Sequence, residues 1–141
     1  MWHKIGKAFI WFFVALYLAI MILWLVYYLQ QPQMVANILN IKTPPKSLRV
    51  IECESPITTD VLTTCSVEIS QNEFPQLLVG YNFEKIAINA TSHTLGLPKV
   101  GSEFAVNIEY SVQPSDFKYG GFVRVITNNE KKHAIIDLYI E

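Results

Sequence analysis

Residues 8–29 read AFIWFFVALYLAIMILWLVYYL, a run of 22 positions without one charged side chain. As an α-helix this run is about 33 Å long, close to the thickness of about 30 Å of a bilayer's hydrocarbon core. The apolar part of a cleaved signal peptide is shorter. The sequence therefore predicts a retained transmembrane helix over residues 8–29.

The residues that flank the apolar run indicate its orientation. Lys4 and Lys7 precede it, within a short N-terminus of residues 1–7, and no Lys or Arg follows until Lys42. By the positive-inside rule the N-terminus is cytoplasmic and the remainder lies in a periplasm or extracellular space, with a bacterial inner membrane favoured. Six residues are predicted to anchor the helix at the two membrane interfaces: Trp2, Lys4, Lys7, Trp24, Tyr27 and Tyr28.

Residues 30–46 (QQPQMVANILNIKTPPK) form a predicted linker between the helix and a folded domain. Its apolar residues fall at roughly helical spacing, which favours a short amphipathic helix on the membrane surface. The adjacent Pro44 and Pro45 then predict an extended connector, because proline fixes its own φ and restricts the preceding residue. The folded domain is therefore expected over residues 47–141.

The domain sequence has the period of β-strands. Phe104, Val106, Ile108 and Tyr110 alternate with less apolar residues, as they do in a half-buried strand. Similar patterns or short apolar runs recur along the domain, at residues 48–53, 65–70, 77–81, 85–90, 122–126 and 136–140. About seven short strands separated by Pro, Gly, Asn and Asp favour an immunoglobulin-like β-sandwich, and a small barrel remains the alternative.

The end of the chain resembles a known family. Pro114-Ser115-Asp116 leads through Tyr119-Gly120-Gly121 into residues 122–129 (FVRVITNN), and a last alternating strand follows. This order resembles the closing hairpin of Hydin-type immunoglobulin-like domains. The resemblance covers about a quarter of the chain, and it implies a protein-binding or scaffolding module without catalytic residues.

Cys53 and Cys65 are the only cysteines, and they fall on consecutive predicted strands outside the membrane. A disulfide is the preferred interpretation in an oxidising compartment, with two free thiols or a redox or metal pair as alternatives. Asn89-Ala90-Thr91 is a sequon, so Asn89 is a candidate glycosylation site in a eukaryotic secretory pathway. No nucleophile, metal-ligand or nucleotide-binding motif is evident, which predicts neither catalysis nor a cofactor.

The distribution of charged and apolar residues limits the kinds of partner that this chain is expected to bind. Beyond the membrane run, nine basic and twelve acidic residues give a net charge of −3, and their scattering argues against a nucleic-acid surface. No small-molecule substrate is evident. Two apolar groups are candidate partner contacts, with lipid contact as the alternative for the first and a buried core strand as the alternative for the second: Trp11, Phe12 and Phe13 in the helix, and Leu77, Leu78, Tyr81 and Phe83 in the domain.

These features predict a non-catalytic, single-pass accessory or scaffold subunit of a larger integral membrane complex, in contact with membrane lipid. The alternative is a membrane-tethered binding or inhibitory module for a soluble partner outside the membrane.

Overall fold

The computed structural model describes residues 2–56 and 60–141, with side chains described from residue 10 onward. The chain divides into two compact units, a helical unit of residues 1–31 and a β unit of residues 32–141. Helix α1 covers Trp2–Ile38, and the described residues after it form six strands and two short 3-10 helices. The strands are β1 (Arg49–Glu54), β2 (Val61–Glu68), β3 (Glu84–Thr91), β4 (Ala105–Val112), β5 (Gly121–Thr127) and β6 (His133–Ile140), and the 3-10 helices are Phe74–Leu78 and Ser92–Thr94.

Within the helical unit, the described residues 10–29 are apolar on all sides of the helix. Its large hydrophobic side chains between Ile10 and Leu29 are exposed, from Trp11 at 71% to Val14 at 42%. Within the described residues, one helix segment, Ile10–Ile38, is long and apolar enough to cross a membrane. A helix that is hydrophobic all round belongs in a protein core or in a bilayer, and none of the most apolar part of this helix is buried.

The β unit contains one antiparallel sheet with the strand order β1-β2-β6-β5-β4-β3. Strands β3 to β6 form a meander of successive hairpins, and the β1–β2 hairpin joins it through the pairing of β2 with β6. The predicted helix plus β-domain organisation is therefore present. The six described strands pair in one sheet, and the arrangement in two packed sheets stays a prediction.

One of the seven predicted strands is wrong. Residues 77–81 lie in and after the 3-10 helix Phe74–Leu78, in which Pro75 occupies the first turn. Proline suits this position because its fixed φ is compatible with a helical turn and its missing N–H would have no partner there. The apolar character of the segment comes from Phe74 and Leu77, which are fully buried in the core of the β unit.

The main core lies on one face of the sheet. Strand residues such as Val67, Val125 and Ile136 meet the 3-10 helix residues Phe74 and Leu77 there. A smaller cluster contains Val106, Ile126 and Ile135, with partly buried residues of the β3–β4 region packed against it: Ile88, Leu95, Leu97 and Phe104.

The segment predicted as a linker contributes to this main core. Val35, Ala36 and Leu39 are fully buried, and Ile38 and Ile41 nearly so. The helical spacing belongs to the end of α1, and the apolar residues pack in the core with strand residues such as Val67 and Val125. The β unit therefore begins at Pro32, earlier than the boundary at residue 47 that the sequence predicts.

Helix α1 ends in a Schellman motif within the β unit. Asn40 adopts a left-handed conformation with φ 54°, which its short polar side chain tolerates. The Ile41 N–H donates to the Ala36 carbonyl at 2.9 Å, and the Asn40 N–H donates to the Asn37 carbonyl at 3.1 Å. These two bonds satisfy helix-end carbonyls and turn the chain toward β1.

Candidate functional site

The two cysteines form a cross-strand disulfide. Cys53 on β1 lies directly opposite Cys65 on β2, with their Cα atoms 4.1 Å apart. Both cysteines of the chain are therefore in this bond, and the predicted disulfide is confirmed. Disulfides of this structural kind persist in oxidising compartments.

A row of polar residues crosses the whole sheet at one level. Each of its members is the cross-strand partner of the next. Its neighbours along the strands, including Cys65, Val123 and Ile136, belong to the main core, so the row lies on the opposite face. We call it the polar row, and its members in spatial order are Glu54, Thr64, Asp137, Arg124, Ser111 and Glu84.

The centre of the polar row is a buried ion pair. Asp137 is fully buried, and its Oδ2 accepts hydrogen bonds from Arg124 Nη2 at 2.7 Å and Nε at 3.1 Å. Thr64 Oγ1 donates to the other carboxylate oxygen, Oδ1, at 2.9 Å. Both oxygens of Asp137 are thus satisfied, as a buried carboxylate requires.

Two aromatic side chains pack beside this pair. Phe122 and Tyr139 are cross-strand partners whose ring centroids lie 5.5 Å apart. The guanidinium carbon of Arg124 lies 4.6 Å from the Phe122 ring centroid, a cation–π distance. Asp137 on one side and Phe122 on the other therefore hold the Arg124 side chain, which is 24% exposed.

The hydroxyl of Tyr139 extends the network toward the start of β2. It donates to Asp60 Oδ2 at 3.4 Å. Burial, followed by the neighbouring charges of Asp60 and Glu141, raises the pKa of Tyr139 above its ordinary value. Tyr139 therefore stays protonated, and remains a hydrogen-bond donor, over the physiological range.

An open groove of about 570 Å³ lies at the β3 end of the polar row. Ser111 is small and stands between the longer Arg124 and Glu84 in the register, so it forms a low point between them. The groove offers a carboxylate, a guanidinium, amides, a hydroxyl and an aromatic ring. Its lining residues are Asn82, Glu84, Ser111, Val112, Gln113, Phe122 and Arg124.

The chemistry available in this groove is hydrogen bonding and ion pairing. Arg124 uses two of its five N–H donors on Asp137, so others remain for a ligand. No described residue forms an ion pair with the Glu84 carboxylate. Within residues 2–56 and 60–141, no cluster of three or more His, Cys, Asp or Glu residues is arranged to hold a metal ion.

The apolar candidates of the domain lie in the core. Leu77 is fully buried, and Leu78, Tyr81 and Phe83 are partly buried against the main cluster. The rings of Tyr81 and Phe83 meet edge to face with centroids 5.9 Å apart. Leu77 is therefore a core residue, and a contact of the partly buried Leu78, Tyr81 and Phe83 with a partner stays a prediction.

The helix candidates are displayed on the helical unit. Trp11, Phe12 and Phe13 are 71%, 64% and 54% exposed. Trp24 stacks on Tyr28 with centroids 5.9 Å apart, and Tyr27 is 59% exposed. The remaining predicted anchors, Trp2, Lys4 and Lys7, lie in the helix, but their side chains are outside the described part of the chain.

The last predicted site residue, Asn89, is exposed on β3. It lies at a bulge, where the β3–β4 register shifts between Ala87 and Ala90. The polar row and the groove are not predicted from the sequence. The alternation Val123-Arg124-Val125 indicates that Arg124 faces away from the core, but its partner depends on the register of β5 with β6.

Comparisons of the chain with protein-family models, with curated proteins and with solved structures give no significant match. The resemblance to Hydin-type domains therefore stays a prediction.

Proposed function

We propose that this chain is a non-catalytic, single-pass membrane protein that acts as an accessory or scaffold subunit of a larger integral membrane complex. The observation that carries the proposal is the uncharged helical stretch of residues 10–29, whose large side chains are exposed on all sides. Such a surface is stable in lipid or against other membrane helices. The aromatic group Trp11, Phe12 and Phe13 supplies bulk for either contact.

The flanking charges and the disulfide support one orientation. Lys4 and Lys7 precede the apolar stretch, which favours a cytoplasmic N-terminus. The bond between Cys53 and Cys65 favours an oxidising compartment for the β unit. A bacterial inner membrane with an immunoglobulin-like β unit in the periplasm satisfies both conditions.

The arrangement of charged residues supports a binding role over catalysis. The buried carboxylate of the polar row, Asp137, is fully used by Thr64 and Arg124. What remains exposed on this face is a groove suited to recognition. We therefore assign protein–protein contact to the β unit and no reaction to it.

Reporter fusions test the orientation. Alkaline phosphatase fused after Glu141 is expected to be active in bacteria, and a green fluorescent protein at the same position is expected to be dark. The matched control moves the positive charge to the other end of the span, by Lys4→Gln and Lys7→Gln combined with two Lys residues inserted after Leu29. This variant should reverse both signals. A fluorescent fusion on the unaltered chain contradicts the proposed orientation.

Gentle detergent extraction tests the accessory role. The chain is expected to co-migrate, in stoichiometric amount, with a multi-spanning membrane complex identified by mass spectrometry. Replacing residues 8–29 with an unrelated membrane span of equal length should abolish this association while leaving the β unit folded. Recovery of the chain alone contradicts the proposal.

The groove favours a second candidate, a membrane-tethered module that binds a soluble partner outside the membrane. This alternative places recognition at the β3 end of the polar row instead of on the helix. In that case the chain in which residues 8–29 have been replaced still binds its partner.

A further inference from the structure

Strand β3 has one free edge. It pairs with β4, and none of the other described strands pairs with its second side. Residues 84–87 of β3 are all exposed. The bulge between Ala87 and Ala90 interrupts the rest of the strand, so residues 84–87 are the regular part on which another strand can pair.

The groove opens at this same end of β3. Glu84 is the first residue of the strand and also lines the groove, together with Asn82 just before it. A strand added beside β3 would place one residue directly opposite Glu84, as a seventh member of the polar row. From that position a long side chain can reach the Glu84 carboxylate at the edge of the groove.

The charges of the site select the kind of side chain. Arg124 is neutralised by Asp137 at 2.7 Å, whereas Glu84 has no described counter-ion. The three groups together therefore leave one negative charge. Beyond Pro32 the chain also carries a net charge of −3, from nine basic and twelve acidic residues, so the surroundings favour a cation.

We propose that the groove binds a Lys or Arg side chain from an extended segment of a partner protein, which pairs with residues 84–87 as an added strand. The cation pairs with the Glu84 carboxylate at the β3 end of the polar row. This inference rests on the proposed role of the β unit as a protein-binding module.

Peptide binding to the full chain in detergent micelles tests the proposal. The probe is the acetylated and amidated peptide TVTKTVT, compared with TVTQTVT by isothermal titration calorimetry. The Lys peptide is expected to bind about fivefold more tightly, and added salt should reduce this advantage. Glu84→Gln should weaken the Lys peptide about fivefold and leave the Gln peptide unchanged.

Glu54→Gln is the matched control, because it removes the same charge from the opposite end of the polar row. Equal losses from the two variants would show a general charge effect and overturn the site. A Lys peptide methylated on every backbone nitrogen should not bind, since neither of its edges can then donate hydrogen bonds to a strand. Equal binding by that peptide, or by N-acetyl-lysine amide alone, overturns strand addition.

These outcomes are independent of the membrane proposal. Failure of peptide binding, with correct orientation and co-migration of the complex, removes the groove inference alone. Failure of orientation, with peptide binding intact, removes the membrane proposal alone.

Discussion

The backbone of Gly80 packs against the carbonyl oxygen of Leu39 so closely that a Cβ atom at position 80 would overlap that oxygen. The Gly80 carbonyl also accepts a hydrogen bond from Asn40 Nδ2 at 3.3 Å. The loop before β3 is thus fastened to the end of helix α1 within the β unit. A position without a side chain is required there, because backbone lies on both sides of the contact.

Gly80→Ala is therefore expected to destabilise the β unit by about 3 kcal/mol, since the added methyl group forces the segment of residues 35–41 away from the core. The β signal in circular dichroism, followed during chemical unfolding of the full chain, measures the loss. Tryptophan fluorescence is unsuitable because all three tryptophans lie in α1.

Gly96→Ala is the matched control for this prediction. Residue 96 has φ 72° and open space around its hypothetical Cβ, so the variant suffers backbone strain without a clash. We expect a loss of about 1 kcal/mol there. Similar losses from the two variants would show that the contact with Leu39 is not the cause.

Much of the β unit could be predicted from alternation. The pattern of Phe104, Val106, Ile108 and Tyr110 led to β4, which is observed at Ala105–Val112. The period-two signal works because successive side chains of a strand face opposite sides. The strand predicted from the apolar run at residues 77–81 is absent, because that run begins in the 3-10 helix Phe74–Leu78.

The candidate site could not be predicted from the sequence, because it depends on the register in which the strands pair. Thr64 and Asp137 are separated by 73 positions, and only the β2–β6 pairing places them together. Local spacing likewise showed an amphipathic segment at residues 34–41 without showing which apolar surface it covers. The cysteines were easier to interpret, since two such residues on consecutive strands have few partners to choose from.

Glu73 gives the β unit a pH-dependent contact. The N–H and hydroxyl groups of Ser47 each donate to Glu73 Oε2 at 2.8 Å. The pKa of Glu73 lies below its ordinary value of 4.5. The largest cause is the hydrogen bond from the Ser47 N–H, followed by the one from the Ser47 hydroxyl and then by the charge of Lys46. Because the pKa is lower in the folded state, this stabilisation is present above the unfolded value and is lost as pH falls through the folded value.

We expect Glu73→Gln to reduce the fall in melting temperature that the parent chain shows on acidification below pH 4.5. Ser47→Ala should reduce it less, because the backbone N–H donor remains. Thermal melts of the three proteins across the acid range provide the measurement. Parallel curves for Glu73→Gln and the parent would contradict the assignment.

The disulfide is expected to stabilise the folded β unit. Cys53 and Cys65 are separated by 12 positions, and closing a loop of this size stabilises a fold by roughly 3 kcal/mol in the chain-entropy model. Cys53→Ser with Cys65→Ser should lower the free energy of unfolding by about this amount. Reductant should destabilise the parent chain and leave the double variant unchanged. If the reductant destabilised both proteins, its effect could not come from the bond between Cys53 and Cys65.

The buried pair of Arg124 and Asp137 should show strong energetic coupling. Asp137→Leu alone leaves a guanidinium largely covered and unpaired, so we expect a loss of about 3–5 kcal/mol. Arg124→Met with Asp137→Leu removes both charges and should cost well under the sum of the single variants. Chemical unfolding of the four proteins gives the coupling energy, expected at about 2 kcal/mol.

The exposed pair of Arg49 and Glu68 provides the comparison for this cycle. It joins the same kinds of side chain across β1 and β2, but its N–O distance is 3.7 Å and its side chains are 67% and 41% exposed. Solvent screening should hold its coupling below about 1 kcal/mol. The larger value at Arg124 would then reflect burial, because both pairs join an arginine to a carboxylate across antiparallel strands. Equal coupling in the two cycles would mean that Asp137 does not hold Arg124 in place for the groove.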